Sequence, residues 1–402
     1  MNFTLLLDLD DTLLVNDIDS FLPNYLGAFS KHVAPYLDGE TFVNALLAGT
    51  HQMVQNRRAD CTLKEIFDQS FFSLVKVDPV EFAAVAERFY AEVFPSLRDL
   101  TRPRPQAVEL VEQALGRGYR LAIATNPLFP LTAIRQRLEW AGLSPERYPF
   151  ELVSSYETFH FAKPDPAYLA ELLARLGWPA EPVLMVGDDL ERDIVMARQA
   201  GVPAFWVPKD GAQLPEGMQA PAMQGGLEQV LPWLDSLAED SLLPTYEHPV
   251  AMLATLRSTP ATLDSLCRGF PDGLWRKQPE LNEWCLTEIL CHLRDVEQEV
   301  NLPRLRKVLE ESNPFLPGQD TDPWAQERQY IAQDGRQALA QFQIARARLI
   351  EALEAMKPED WNRSARHAIF GPTRLIELVN IIAGHDRLHL QQVHQVLQAA
   401  RL

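Results

Sequence analysis

The sequence predicts two domains of different class: an α/β domain with a parallel sheet and a helical cap, then an all-α four-helix bundle. Three observations lead there. Short apolar runs ending in acidic or hydroxyl-bearing turns alternate with helical segments through residue 237. About a hundred residues of helical character separate the first such run from the second. Past residue 248 no strand pattern dominates, and four long helical periods take over.

The first run, residues 3–7, is apolar throughout, as a strand buried on both faces must be. It ends in Asp8-Leu9-Asp10-Asp11-Thr12. Open α/β sheets bind ligands at that edge, and two acids two residues apart ask for a cation there. The alternative is a surface turn that uses Asp as a turn former. Residues 20–97 carry amphipathic helical pieces, with helix starts at Thr62 and Asp78-Pro79. The stretch is too long for one crossover helix and reads as a cap over the strand edge, at about 15–100.

The α/β pattern then resumes with a helix at 105–117 stopped by Gly118 and a strand at 119–124 leading into Thr125-Asn126-Pro127. A helix at 131–141 and a strand at 150–153 follow; Lys163-Pro164 precedes a helix at 167–176. The strand at 183–186 ends in Gly187-Asp188-Asp189, and a helix at 193–200 leads to a strand at 204–207. Residues 208–226 are rich in Pro, Gly and Gln, and 227–237 read as a closing helix. The boundary falls near 238–248, giving domains 1–240 and 249–402. The bundle helices are expected at 250–267, 287–311, 335–356 and 374–398.

A net charge of −18 argues against a nucleic-acid or anionic-membrane partner. No apolar run approaches the ~20 residues of a membrane helix. The first strand follows Met1 at once, leaving no room for a signal peptide. Cys61, Cys267, Cys285 and Cys291 form no CxxC pair and read as free thiols in a reducing cytoplasm.

Four turn segments fit phosphoryl transfer. Asp8 can attack phosphorus, and Asp10 can protonate the leaving oxygen and then deprotonate water. Thr125 can donate to a phosphoryl oxygen, and Lys163 can neutralise charge on it and on Asp8. Asp188 completes the oxygen shell of Mg2+, with Asp189 or Asp193 holding metal waters or Lys163. The pattern resembles the haloacid-dehalogenase-like hydrolases over about residues 1–237. The resemblance implies a Rossmann-like sheet with a helical cap that selects the substrate. It implies Asp8 as nucleophile, Asp10 as acid/base, Thr125 and Lys163 as phosphate ligands, and Mg2+ on Asp8, Asp188 and the Asp10 carbonyl. A halide leaving group needs no proton, so Asp10 favours a phosphatase acting on a small phosphorylated metabolite. Arg57, Arg58 and Lys64 of the cap could meet an anionic substrate, but a solvated helix face is the preferred reading.

His385 and His389 are four residues apart, on a helix face with Leu378, Ile382, Val393 and Val396. His292 shares a stripe with Ile289, Val296 and Val300. Three histidines aimed at one core need something to bond them, and a three-histidine set with an open position suits catalytic zinc. His394 lies half a turn or more away and is excluded. The alternative is core histidines bonded to carbonyls or to carboxylates such as Glu288 or Asp386. This half resembles the DinB-like (YfiT-like) bundles over about 249–397, with one His on the second helix, His-x-x-x-His on the last, and Phe370-Gly371-Pro372 on the approach to it. The resemblance implies Zn2+ or Ni2+ on His292, His385 and His389. Some such proteins resemble transferases using low-molecular-weight bacterial thiols. The leading expectation is therefore a Mg2+-dependent phosphohydrolase fused to a metal-binding bundle. Alternatively the bundle carries the main activity, as a thiol transferase or hydrolase, or serves as a non-catalytic interaction or homodimerisation module.

Overall fold

The computed structural model describes residues 2–209, 212–216, 223–238 and 242–400. The stretch expected as a loop at 208–226 and the boundary expected near 238–248 lie partly outside these residues, as do the last two residues of the bundle. The chain divides into two compact units, Met1–Leu172 with Pro179–Thr245 and Leu173–Trp178 with Tyr246–Leu402.

In the first unit the fully buried β1 (Thr4–Leu7) runs into a turn and β2 (Leu14–Val15). The cap follows as α1 (Ile18–Val33), α2 (Gly39–Val54), α3 (Leu63–Leu74) and α4 (Pro79–Arg88), with a π turn and a 3-10 turn to Leu100. Each start has a local cause. Thr62 and Glu65 cap each other across the first turn of α3, and Asp78 caps α4 with Pro79 at its first position. Aromatic side chains fill the cap, among them Phe29 stacked on Phe89 with centroids 3.9 Å apart. The chain leaves through β3 (Arg102–Pro103), antiparallel to β2, so a two-strand ribbon carries the cap.

Then come α5 (Pro105–Gly116), β4 (Arg120–Ile123), α6 (Leu131–Trp140), β5 (Leu152–Val153) and α7 (Pro166–Arg175). Gly118, at φ 78°, lets the chain turn from α5 into β4. After β6 (Val183–Gly187) a π turn and α8 (Met196–Gln199) lead to β7 (Ala204–Trp206), β8 (Met223–Gln224) and α9 (Val230–Asp235). The sheet order is β5-β4-β1-β6-β7-β8, and all of its pairings are parallel. β8 falls in the stretch read as a loop, because two residues are too few to show alternation.

The longer segment of the second unit opens on α10 (Pro249–Arg268). The helix expected at 287–311 is α11 (Leu286–Val296), a π turn (Glu297–Asn301) and α12 (Leu302–Glu310). The π turn precedes Pro303, whose ring and missing N–H are incompatible with an unbroken α ladder. β9 (Phe315–Leu316), α13 (Trp324–Glu327), α14 (Gly335–Glu354), β10 (Ser364–His367), β11 (Gly371–Arg374) and α15 (Leu375–Ala400) complete it. The sequence reading missed the small sheet β11-β10-β9, whose strands are two to four residues long. Phe370-Gly371-Pro372, expected on the approach to the last helix, forms the turn and first residues of its hairpin. The four cysteines are buried free thiols. No helix among the described residues is long and apolar enough to cross a membrane.

Candidate active site and metal centre

Parallel register assembles the first site. Leu7 pairs with Ile123 on β4 and with Val186 on β6, so the three central strands end level. Asp8, Thr125 and Asp188 follow those ends on one edge. Asp11 sits in the left-handed region at φ 58°, which an Asp tolerates, and reverses the chain directly after Asp8 and Asp10.

Lys163 Nζ donates to Asp8 Oδ1 at 2.8 Å and to Asp193 Oδ1 at 2.5 Å. All three side chains are buried. Burial alone would deprotonate the lysine, but Asp193 and Asp8 outweigh it and hold the ammonium charged. Burial, with Asp193 and Asp188 nearby, pushes Asp8 up, although Lys163 opposes this. Asp188 is pushed up to about 7 by burial and by Asp193 and Asp11. Oxygens of Asp8, Asp188 and Asp193 lie within 4.8 Å of one another. Asp193 has both oxygens engaged, one by Lys163 and the other by the Asp189 amide at 3.0 Å. Asp8 and Asp188 are thus the carboxylates left for a cation, and crowded acids with elevated pKa values fit one. Of the two acids offered for the supporting role, Asp193 reaches Lys163. Asp189 instead caps the following turn, accepting from the Glu191 and Arg192 amides.

Asp10 accepts from Arg137 Nη1 at 2.6 Å and from Asn16 Nδ2 at 2.9 Å. Thr125 is buried on the cavity wall, its carbonyl held by Ser154 and Tyr168 hydroxyls at 2.7 and 2.8 Å. The cavity over these groups measures about 220 Å³, and Asp8, Asp10, Thr125, Lys163 and Asp188 line it. The cap cations lie elsewhere: Arg57 pairs with Asp165, Arg58 with Asp60 and Lys64 with Asp68. What the cap shows this cavity is Ile18 and Phe21.

In the second unit α11 carries His292 and α15 carries His385 and His389. His385 Nε2 lies 3.2 Å from His292 Nε2 and 3.0 Å from His389 Nε2. Burial, then His389 and His385, pushes His292 down to about 3, while His385 and His389 fall to about 4. The rings are therefore neutral at pH 7. Each neutral Nε2 offers either one N–H or one in-plane lone pair, so His385 Nε2 cannot make a good hydrogen bond to both neighbours at once. A metal resolves this: zinc–nitrogen bonds of about 2.0–2.1 Å place neighbouring nitrogens roughly 3.3 Å apart at the tetrahedral angle. His389 Nδ1 is paired with Gln392 Oε1 at 2.8 Å, which orients that ring. His394 is not in the cluster. The carboxylates offered as alternative partners are committed elsewhere: Glu288 accepts from the Cys285 amide and Asp386 from Arg346.

Residues 4–201 match the sequence model of the haloacid dehalogenase-like hydrolases. The Probable phosphatase IndB of Dickeya dadantii is 32% identical over 174 residues, which cover 41% of this chain and 71% of that protein. The chain belongs to the haloacid dehalogenase-like hydrolases. Its residues 255–393 match the DinB superfamily. The Phosphoglycolate phosphatase of Mesorhizobium japonicum is 32% identical over 131 residues, 33% of this chain and 55% of that one. The Uncharacterized protein YuaE of Bacillus subtilis is 23% identical over 140 residues, 32% of this chain and 86% of its own. The chain spans about half the length of the curated phosphoglycolate and phosphoserine phosphatases it matches.

In this haloacid dehalogenase-like hydrolase, sequence reasoning missed Arg137 and Asn16, the partners of Asp10. One signal was present. Arg137 shares the stripe of Ile134, Leu138 and Ala141, which faces the core, so a cation there had to find a buried or half-buried acid. In the DinB-like unit it missed Arg346, buried beside Glu297 and Asp386.

Proposed function

We propose that the Asp8 centre hydrolyses phosphate monoesters through a phosphoaspartate, and that the histidine centre binds zinc or nickel. The observation that carries the first reading is the Lys163 ammonium bridging Asp8 and Asp193, with Asp188 at hand and Asp10 two residues away on a buried arginine. Asp8 attacks phosphorus in line with the ester oxygen, and Asp10 passes its proton to that oxygen as it leaves. Asp10 then takes a proton from the water that splits the phosphoaspartate. Lys163 and Thr125 hold phosphoryl oxygens, and Arg137 fixes the orientation of Asp10. A divalent cation on Asp8, Asp188 and the Asp10 carbonyl, Mg2+ by its preference for oxygen donors, supplies charge neutralisation when bound. Asp10 supports a phosphatase over a dehalogenase, since the departing alkoxide needs a proton.

The proposed domains are 1–240, with the cap at about 15–100, and 249–402. No nucleic acid is a partner in this reading, and the site of action is the cytoplasm. The test is phosphate release from a monoester panel with and without Mg2+, with elemental analysis of the same preparation. Asp8→Asn should abolish turnover, and Asp10→Asn should lower it by about 10²–10⁴. Full activity in Asp8→Asn would end the phosphoaspartate mechanism.

The neutral histidine cluster supports a second reading, in which the bundle has its own chemistry, thiol transfer or hydrolysis. In His389→Ala that activity should vanish while phosphate release persists.

A further inference from the structure

The cap encloses a second cavity of about 250 Å³. Phe29, Phe42, Phe67, Phe71 and Phe82 line it from the cap helices. It adjoins the Asp8 cavity, because Ile18, Leu128 and Phe129 line both. Phe129 stands at the junction with the Arg137 guanidinium 4.7 Å over its ring, the same guanidinium that holds Asp10.

The walls offer little to a hydrated ligand. The Tyr25 and Tyr90 hydroxyls bond each other at 2.9 Å, and Thr50 Oγ1 donates to the Leu46 carbonyl at 2.8 Å. The rim is apolar as well: Ile18 is 49% exposed, Leu22 37% and Leu47 45%. Large aliphatic side chains held in water around the mouth of an aromatic pocket mark a binding surface rather than a packing fault. Among the described residues the cap contributes no cation to either cavity. A carboxylate carried into the cap cavity would find no charge there to receive it; the cations beside Lys163 in the Asp8 cavity, Arg137, Arg192 and Lys209, all come from outside the cap.

We propose that the substrate is a phosphate monoester of an apolar alcohol, alkyl or aryl, whose tail occupies the cap cavity while its phosphate lies at Asp8, Thr125 and Lys163. The inference rests on the phosphatase reading of the Asp8 centre. Asp8 displaces the alcohol from phosphorus, and Asp10 protonates the departing oxygen. Water then splits the phosphoaspartate, and the alcohol and inorganic phosphate leave.

The experiment compares ethyl, butyl and hexyl phosphate with phosphoglycolate, using the full chain and Mg2+. kcat/KM should rise about fourfold per methylene, the equivalent of about 0.8 kcal/mol per buried CH2, and phosphoglycolate should rank with or below ethyl phosphate. Binding of the same esters to Asp8→Asn, read by calorimetry, should tighten in parallel. Ala86→Phe narrows the cavity, and Leu47→Glu charges its rim; each should cut the hexyl-to-ethyl ratio about tenfold or more. A flat series, or a preference for phosphoglycolate, overturns the apolar tail while leaving the phosphatase reading intact. If no ester is turned over, the phosphatase reading fails, and the chain-length dependence of binding to Asp8→Asn alone decides whether the cavity takes an apolar tail.

Discussion

Arg137 touches no reacting atom, yet the proposed acid/base step depends on it. Its guanidinium is 2% exposed and meets Asp10 at 2.6 Å. Removing it frees Asp10 to rotate away from the ester oxygen. Arg137→Ala should lower kcat about 10- to 100-fold with a smaller change in KM, and Arg137→Lys should recover part of the loss. Equal losses in kcat and in unfolding free energy for both variants would reduce Arg137 to a structural role. Gly187 is a second residue with a geometric duty: a Cβ there would collide with the Asp193 carboxyl, so only glycine lets Asp193 close on Lys163. Asp295 carries a pH prediction. Burial opposes its ionisation, but hydrogen bonds from Arg294, Tyr330 and Arg328 at 2.6, 2.8 and 2.6 Å hold it below the usual carboxylate range. A depressed folded pKa stabilises above the unfolded value, and the contribution is lost as pH falls through the folded value. Asp295→Asn should therefore destabilise the second unit by about 1–3 kcal/mol at pH 7, and the gap should close as pH falls from the ordinary carboxylate range through the lower folded value. Urea unfolding across that range reads both ends.

At the scale of elements, each site is a meeting of element ends or faces. Strand register brings Asp8, Thr125 and Asp188 together without any sequence proximity. In the bundle, Arg346 on α14 joins Glu297 of the π turn, through Nε–Oε1 at 2.6 Å, to Asp386 on α15, through Nη2–Oδ1 at 3.0 Å. All three are buried. Their mutual attraction offsets desolvation only while the set is complete. Arg346→Met alone strands two buried carboxylates and should cost about 3–5 kcal/mol, whereas adding Glu297→Leu and Asp386→Leu should restore most of it. Chemical denaturation of the single and triple variants distinguishes this from simple additivity. The helical elements were legible because their causes are local: Thr62 with Glu65, Asp78 with Pro79, and the apolar stripes of α14 and α15. The sheet β11-β10-β9 was not, since its two- to four-residue strands gain their stability from partners distant in sequence.

For the whole molecule, two sites of opposite donor chemistry sit on a chain of net charge −18. Carboxylate oxygens at Asp8 and Asp188 suit Mg2+; imidazoles at His292, His385 and His389 suit zinc or nickel. Zinc at a hundredfold excess over its dissociation constant should raise the stability of the second unit by about 2.7 kcal/mol. A chelator should remove that gain, His389→Ala should never show it, and Mg2+ should not substitute; calorimetric scanning reads each case. The sequence by itself determined the two fold classes, the order of the longer helices and of the central strands, and the short motifs whose residue types announce their chemistry: Asp8-x-Asp10, Lys163-Pro164, Gly187-Asp188 and His385-x-x-x-His389. These are local properties, written in periodicity and in neighbours a few residues apart. Only the tertiary structure decided that Arg137 holds Asp10, that Asp193 rather than Asp189 holds Lys163, and that Arg346 takes Asp386 from the histidines. It also decided that the cap meets the Asp8 cavity with Ile18 and Phe21 instead of cations. Each is a choice among several chemically able side chains. Distance makes that choice, and distance is a property of the packed chain.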